Sequence, residues 1–124
     1  KDFATAIGPW LVTKDELAGR LRPSPKGNVL DARMTAHVNG VQVSAGNVAQ
    51  MDWTFAQIVQ RAADGVTLEP GEVIGSGTVG TGCFLELNGS GITKDQWFRP
   101  GDVVSLAIEG LGTLTHTIVE DAAK

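Results

Sequence analysis

Cysteine is almost missing from this chain: Cys83 is the one thiol in 124 residues. It has no partner for an intrachain disulfide and no second thiol to complete a cysteine-based metal site, so a reducing cytoplasm is the expected home. Basic runs are missing as well. The ten Lys and Arg are scattered, with no two adjacent, and neither DNA nor an anionic membrane finds an electrostatic footprint to grip. No nucleic-acid partner is expected. The longest uninterrupted apolar run is a few residues, far short of the roughly 18 that suggest a membrane span, and no signal-peptide pattern opens the chain. No membrane partner is expected either. The start at Lys1-Asp2-Phe3, without methionine, is expected of an excised or processed piece.

What remains is ordinary for a soluble globular domain: 42% apolar residues, 19% charged and a net charge of −4, which is no disordered tail. The length allows one domain at most. Glycine is the plentiful residue. Sixteen of them, well above the usual ~7%, favour strands and tight turns over helices.

Residues 7–13 read as an extended segment, and Thr13-Lys14-Asp15-Glu16 has capping-box spacing, which predicts a helical turn over 14–18. Two prolines with Gly and Asn in 22–28 predict a surface loop that no regular element crosses. Alternation then sets in. Met34, Ala36 and Val38 precede Asn39-Gly40, and Val41 and Val43 follow, which predicts strands at 31–38 and 41–46 joined by a type I′ turn. A helix is predicted over 54–64, because Phe55, Ile58, Val59 and Ala62 share one face, Thr54 and Gln57 fit a capping box, and Gly65 is a left-handed stop. Its apolar stripe should lie on a sheet. Pro70-Gly71 and Pro100-Gly101 suit type II turns, each expected to launch a strand, at 72–77 and 102–109. The second strand should pair through Gly110-Leu111-Gly112 with a last strand at 113–119. Phe84-Leu85-Glu86-Leu87-Asn88 alternates and reads as another short strand. The whole predicts a mainly β (α+β) fold with one helix packed on it.

Residues 75–82 hold four glycines in eight positions, where backbone amides can approach an anionic ligand, and Thr78 and Thr81 add hydroxyl donors. Taken alone, the segment reads as a connecting turn. It is neither a P-loop nor a dinucleotide turn. As a strand residue, Glu86 should face solvent, opposite Leu85 and Leu87; its interest is that it follows the glycine loop closely. A terminal Lys1 is a solvated charge. His37 and His116 have no carboxylate or second histidine at ligand spacing and read as structural or surface residues. No catalytic histidine, nucleophile elbow or local carboxylate pair is found.

Read in order, several segments resemble the fumarylacetoacetate hydrolase family. They are Lys1-Asp2-Phe3-Ala4-Thr5, Gly8-Pro9-Trp10-Leu11-Val12-Thr13, the Val38-Asn39-Gly40 hairpin, Leu68 to Thr78, Gly82-Cys83-Phe84-Leu85-Glu86-Leu87, and the closing stretch from Phe98 to Gly112. The match spans the chain in order, so residues 1–124 resemble the C-terminal part of that family's catalytic domain. The resemblance implies a mixed β-sandwich roll and a divalent cation, Mg²⁺, Mn²⁺ or Ca²⁺. It also implies a hydrolase that cleaves a carbon–carbon bond in an acylpyruvate or fumarylacetoacetate-like acid, as a cytoplasmic homodimer. Position by position, Lys1 matches a lysine that stabilises negative charge on the substrate. Thr5 matches a threonine beside a second cation, where any metal contact at Lys1 uses its backbone oxygen, since an ammonium has no lone pair. Thr78 matches a threonine that holds a substrate carboxylate. Glu86 matches a glutamate that orients the catalytic histidine, fixing its tautomer. The family's acidic metal ligands and that histidine lie upstream of the matched lysine. Two alternatives stay open: a decarboxylase, hydratase or isomerase of a related oxo-acid, and a non-catalytic β module if 124 residues is the native length.

Overall fold

A computed structural model describes residues 5–120. Asn39 and Gly40, with φ of 51° and 79°, make the tight turn that the Asn-Gly pair predicts. They join β3 (Arg33–Val38) to β4 (Val41–Asn47). β3 pairs on its other side with β5 (Val103–Ile108), which pairs in turn with β6 (Gly112–Thr117), giving an antiparallel sheet in the order β4-β3-β5-β6. Rows such as Val38–Val104–His116 and Met34–Ile108–Gly112 run across it. With two short α-helices besides among the described residues, the fold is mainly β, of the α+β class.

The Asn39 side chain does more than permit a turn. Its amide donates to Asp102 Oδ1 at 2.8 Å and its oxygen accepts from the Val103 N–H at 2.9 Å, which fixes the start of β5 against the hairpin. Asp102 also accepts from the Arg99 N–H at 2.8 Å. The Asn39 bond first and the Arg99 N–H second hold the Asp102 carboxyl below its ordinary value of 3.8. A group with a depressed folded pKa contributes stability above its unfolded pKa and loses it as pH falls through the folded one. The advantage of the protein over Asp102→Asn, read as the urea midpoint, should therefore be constant near neutral pH and be lost progressively as pH falls below 3.8. An unchanged difference at acid pH would remove this account.

Both Pro-Gly turns form. Gly71 and Gly101 have φ of 99° and 94°, and the closing bonds run from Glu72 N to Glu69 O (3.2 Å) and from Asp102 N to Arg99 O (3.0 Å). Only the second launches a strand. Residues 72–79 belong to no ladder, and Val73 and Ile74 remain exposed, because no described strand lies beside them to pair with.

Two further expectations are corrected. The segment 22–28 is a hairpin and no irregular loop: β1 (Leu21–Ser24) pairs with β2 (Gly27–Leu30), with Pro23 opposite Asn28. Both strands of a two-stranded ribbon are edges, where a residue lacking its N–H is tolerated. Residues Phe84–Gly89 form a helix, α2, not a strand. Over five residues an alternating pattern also satisfies a helical period, and the buried pair is Phe84 and Leu87, three apart.

The expected helix is present as α1 (Phe55–Ala62), with the Thr54 and Gln57 capping box made and Gly65 at φ 79°. It buries none of its residues, and Phe55 and Val59 are half exposed. The helix that packs on the sheet is α2. Its Phe84 and Leu87 close over Val38, while a second cluster of Leu30, Ala32 and Val48 gathers Met34, Met51 and Ile108. Met34 and Val38 point to the same face of β3, so both clusters lie on one face at opposite ends. No described helix is long and apolar enough to cross a membrane.

Candidate functional site

The glycine loop runs between those two clusters, and the sheet beneath it is shaped to receive it. A Cβ at Gly46 on β4 would lie 2.6 Å from Val79 Cγ2, so the loop sits where only glycine leaves room. Two positions back along β4, the buried Ser44 hydroxyl is 3.5 Å from Thr81 Oγ1. Thr81 has φ 62°, and its hydroxyl donates to the Gly80 carbonyl at 2.5 Å. From there the chain enters α2 and is anchored by Phe84.

The tightest point is Gly82. Its N–H is shared between Val79 O at 2.9 Å and Glu86 Oε2 at 3.2 Å. A Cβ there would lie 2.6 Å from Val79 O and 2.9 Å from Thr78 Oγ1. Thr78 and Glu86, eight residues apart, therefore meet around one backbone unit. The helical turn of α2 is what brings Glu86 back toward the loop, four residues from Gly82. With one carboxylate oxygen on Gly82, Glu86 keeps the other for a further donor.

Thr78 also borders a cavity of about 670 Å³, within the usual size range of small-molecule sites. Ser76 to Gly80 form one side of it. The turn Met51-Asp52-Trp53 and, from α1, Phe55 and Ile58 also line it. That turn is held by Lys26, at the tip of the β1–β2 hairpin, whose ammonium donates to the carbonyls of Met51 and Asp52 (3.2 Å to the latter).

Of the residues singled out in the sequence, Thr78 and Glu86 are brought together. Thr5 is exposed in an irregular segment and has no hydrogen bond to either. Lys1 lies outside the described residues. Among the described residues no three His, Cys, Asp or Glu side chains gather where a metal ion could be held, and one neutral hydroxyl at Thr5 is no hard-cation ligand set. The described residues do not by themselves fit the implied cation. His37 and His116 lie in β3 and β6, in ladder register with Ser105 and Val104; the Nδ1 of His116 is buried without a hydrogen-bond partner among the described residues. Sequence reasoning missed Gly46 and Lys26, and it marked Gly82 only as one glycine of the loop. A glycine inside the alternating strand at 46 was the available signal for close backbone approach; nothing local marks Lys26.

Comparison with known proteins follows the same lines. The family described as Fumarylacetoacetate (FAA) hydrolase C-terminal matches residues 1–119. The 2,4-didehydro-3-deoxy-L-rhamnonate hydrolase of Sphingomonas sp. (strain SKA58) is 34% identical over 124 residues, which cover 96% of this chain and 37% of that protein. An uncharacterized protein of Staphylococcus saprophyticus is 32% identical, with 92% of this chain and 33% of its own covered. Among solved structures, a protein of Mycobacterium smegmatis provisionally named HpcE superposes with a TM-score of 0.65 at 30% identity, over 91% of this chain and 36% of the other. The chain thus spans about a third of the length of these relatives.

Proposed function

This chain belongs to the fumarylacetoacetate hydrolase family, and from that premise we propose that the whole protein is a metal-dependent hydrolase. Its reaction is cleavage of a carbon–carbon bond in a 1,3-dicarbonyl acid of the acylpyruvate or fumarylacetoacetate type. The observation that supports the reading is that Thr78, which borders a cavity, and Glu86 both lie against the backbone of Gly82. A hydroxyl and loop amides suit a carboxylate. A glutamate whose free oxygen accepts an imidazole N–H fixes the tautomer of a general base.

With acetylpyruvate, water adds to the C4 carbonyl and the C3–C4 bond breaks. The bonding pair passes to C3 as the enolate of pyruvate, which takes up a proton, leaving acetate and pyruvate. In this reading Thr78 holds the carboxylate of the pyruvyl half, and Lys1 offsets the charge that develops on the enolate oxygen. Glu86 keeps the histidine, contributed from outside these residues, aligned to accept the proton of water. The divalent cation, Mg²⁺, Mn²⁺ or Ca²⁺, belongs to the proposal. It would supply polarisation of the dicarbonyl, with its hard oxygen ligands also from outside the described residues and Lys1 and Thr5 beside it. A cytoplasmic homodimer is proposed on the same basis.

The test is product analysis with the full-length protein and acetylpyruvate. Equimolar pyruvate and acetate, lost after dialysis against EDTA and regained with Mg²⁺, are expected. Release of CO₂ would instead make the protein a decarboxylase on the same scaffold.

A further inference from the structure

The cavity beside Thr78 is divided by chemistry. One side is the loop from Ser76 to Gly80, with backbone amides and two hydroxyls. The remainder is built mainly from apolar side chains: Met34 and Ile108 from the sheet, Met51 from the turn, Phe55 and Ile58 from α1, and Leu111 from the β5–β6 turn.

The polar residues on that remainder are mostly committed elsewhere. Asn47 Oδ1 accepts the N–H groups of Ala49 and Ala32, and its amide donates to Asp31. Gln50 Oε1 accepts the Asn47 N–H at 3.0 Å. These atoms close a capping box and are not free for a ligand hydroxyl. No Lys, Arg or His borders the cavity among the described residues, and the one ionisable side chain on its wall is the carboxylate of Asp52. Among the described residues a second carboxylate on the ligand would meet one like charge and no cation on that wall. A row of ligand hydroxyls would find few partners on that wall, chiefly Gln50 Nε2, Trp53 Nε1 and the Asp52 carboxylate. An alkyl or aryl group would exchange water for methyl, thioether and phenyl surface.

We infer that the substrate is a monocarboxylic oxo-acid with an uncharged, apolar tail, held with its carboxylate at the Thr78 loop and its tail between the sheet and α1. The inference rests on the carboxylate role proposed for Thr78, and it narrows the acid to an acylpyruvate type carrying an apolar acyl group. It disfavours a diacid of the fumarylacetoacetate kind and a polyhydroxylated sugar acid.

Binding to the full-length protein tests this independently of turnover, by titration calorimetry with four 2-oxo acids. Two differ in tail length, 2-oxobutanoate and 2-oxooctanoate; one is the eight-carbon diacid, 2-oxosuberate; one is hydroxylated, 2-dehydro-3-deoxygluconate. Burying methylenes should make 2-oxooctanoate bind at least about tenfold tighter than 2-oxobutanoate, and also tighter than the diacid and the hydroxylated acid. Phe55→Ser, at a half-exposed position on the wall, should shrink the octanoate-to-butanoate ratio about threefold. Equal or tighter binding of 2-oxosuberate or of the hydroxylated acid overturns the inference. So does a failure of 2-oxooctanoate to bind, whatever acetylpyruvate gives. Cleavage of acetylpyruvate with no preference for the apolar tail removes this inference and leaves the hydrolase reading standing. Tail preference with CO₂ release does the reverse.

Discussion

Gly82→Ala in the full-length protein should lower kcat/KM on acetylpyruvate by about 100-fold, the scale expected when reacting groups are misplaced by about an ångström. The added methyl would lie 2.6 Å from Val79 O, 2.9 Å from Thr78 Oγ1 and 3.0 Å from Val79 Cγ1. Backbone cannot yield as a flexible side-chain tip does. The Val79 carbonyl is also the acceptor of the Gly82 N–H, so any shift that relieves the clash weakens that bond. The same N–H holds Glu86. One methyl group thereby displaces the proposed carboxylate holder and the proposed histidine partner together. Overpacking of this kind should also cost about 1–3 kcal/mol of stability. Gly80→Ala is the matched control, since a Cβ at Gly80 meets nothing within 4 Å and its φ is not in the left-handed region. Thermal unfolding and steady-state kinetics of the two variants separate the cases. If Gly82→Ala keeps the activity of Gly80→Ala, the loop is only a connection.

The parts of the fold that were legible in the sequence are those governed by chemistry between near neighbours. Asn39-Gly40 could hardly be anything but a tight turn, and the Thr54–Gln57 box marks the start of α1 because both partners lie within one turn. The Pro-Gly pairs named their turn type for the same reason. What followed Pro70-Gly71 was not legible, since a strand exists only with a partner and the partner is not a local property. Phe84 to Asn88 failed for a different cause: its apolar positions satisfy both periods, and burial of Phe84 and Leu87 on Val38 decided for the helix. Pro23 was misread because a proline excludes a central strand but not an edge.

The candidate site divides in the same way. Thr78 and Glu86 were reached through resemblance to a family, not through their spacing. A strand at 84–88 would have aimed Glu86 at solvent, whereas the helix returns it to Gly82. The path of the loop is set by Gly46 and Ser44, more than thirty positions earlier in the chain, which no local pattern links to residues 79–82. The cavity wall is likewise assembled from β3, the turn before α1, and β5. Lys26 reaches across from a different hairpin to hold that turn. Such a site is specified by long-range contacts, and these are what sequence periodicity does not report.

Leu87→Ala should be strongly destabilising, costing about 2–5 kcal/mol. Leu87 is 2% exposed and is the largest fully buried side chain among the described residues. With Phe84 and Val38 it forms one of the two buried clusters among the described residues, and a small core leaves little reserve against a cavity. Leu85→Ala, two residues away on the same helix, removes the same atoms from a side chain that is 70% exposed and should change stability by about 0.5 kcal/mol or less. Urea unfolding of both variants makes the comparison direct, with a lower midpoint and an unchanged slope expected for Leu87→Ala. The loss should reach the site as well, because Leu87 is the anchor that holds α2 against the sheet and so holds Glu86 beside Gly82. The variant should therefore lose activity at temperatures below its global unfolding, as α2 loosens first. Equal midpoints for the two variants would mean that residues 84–89 are not packed on β3 as described, and the placement of Glu86 would fall with them.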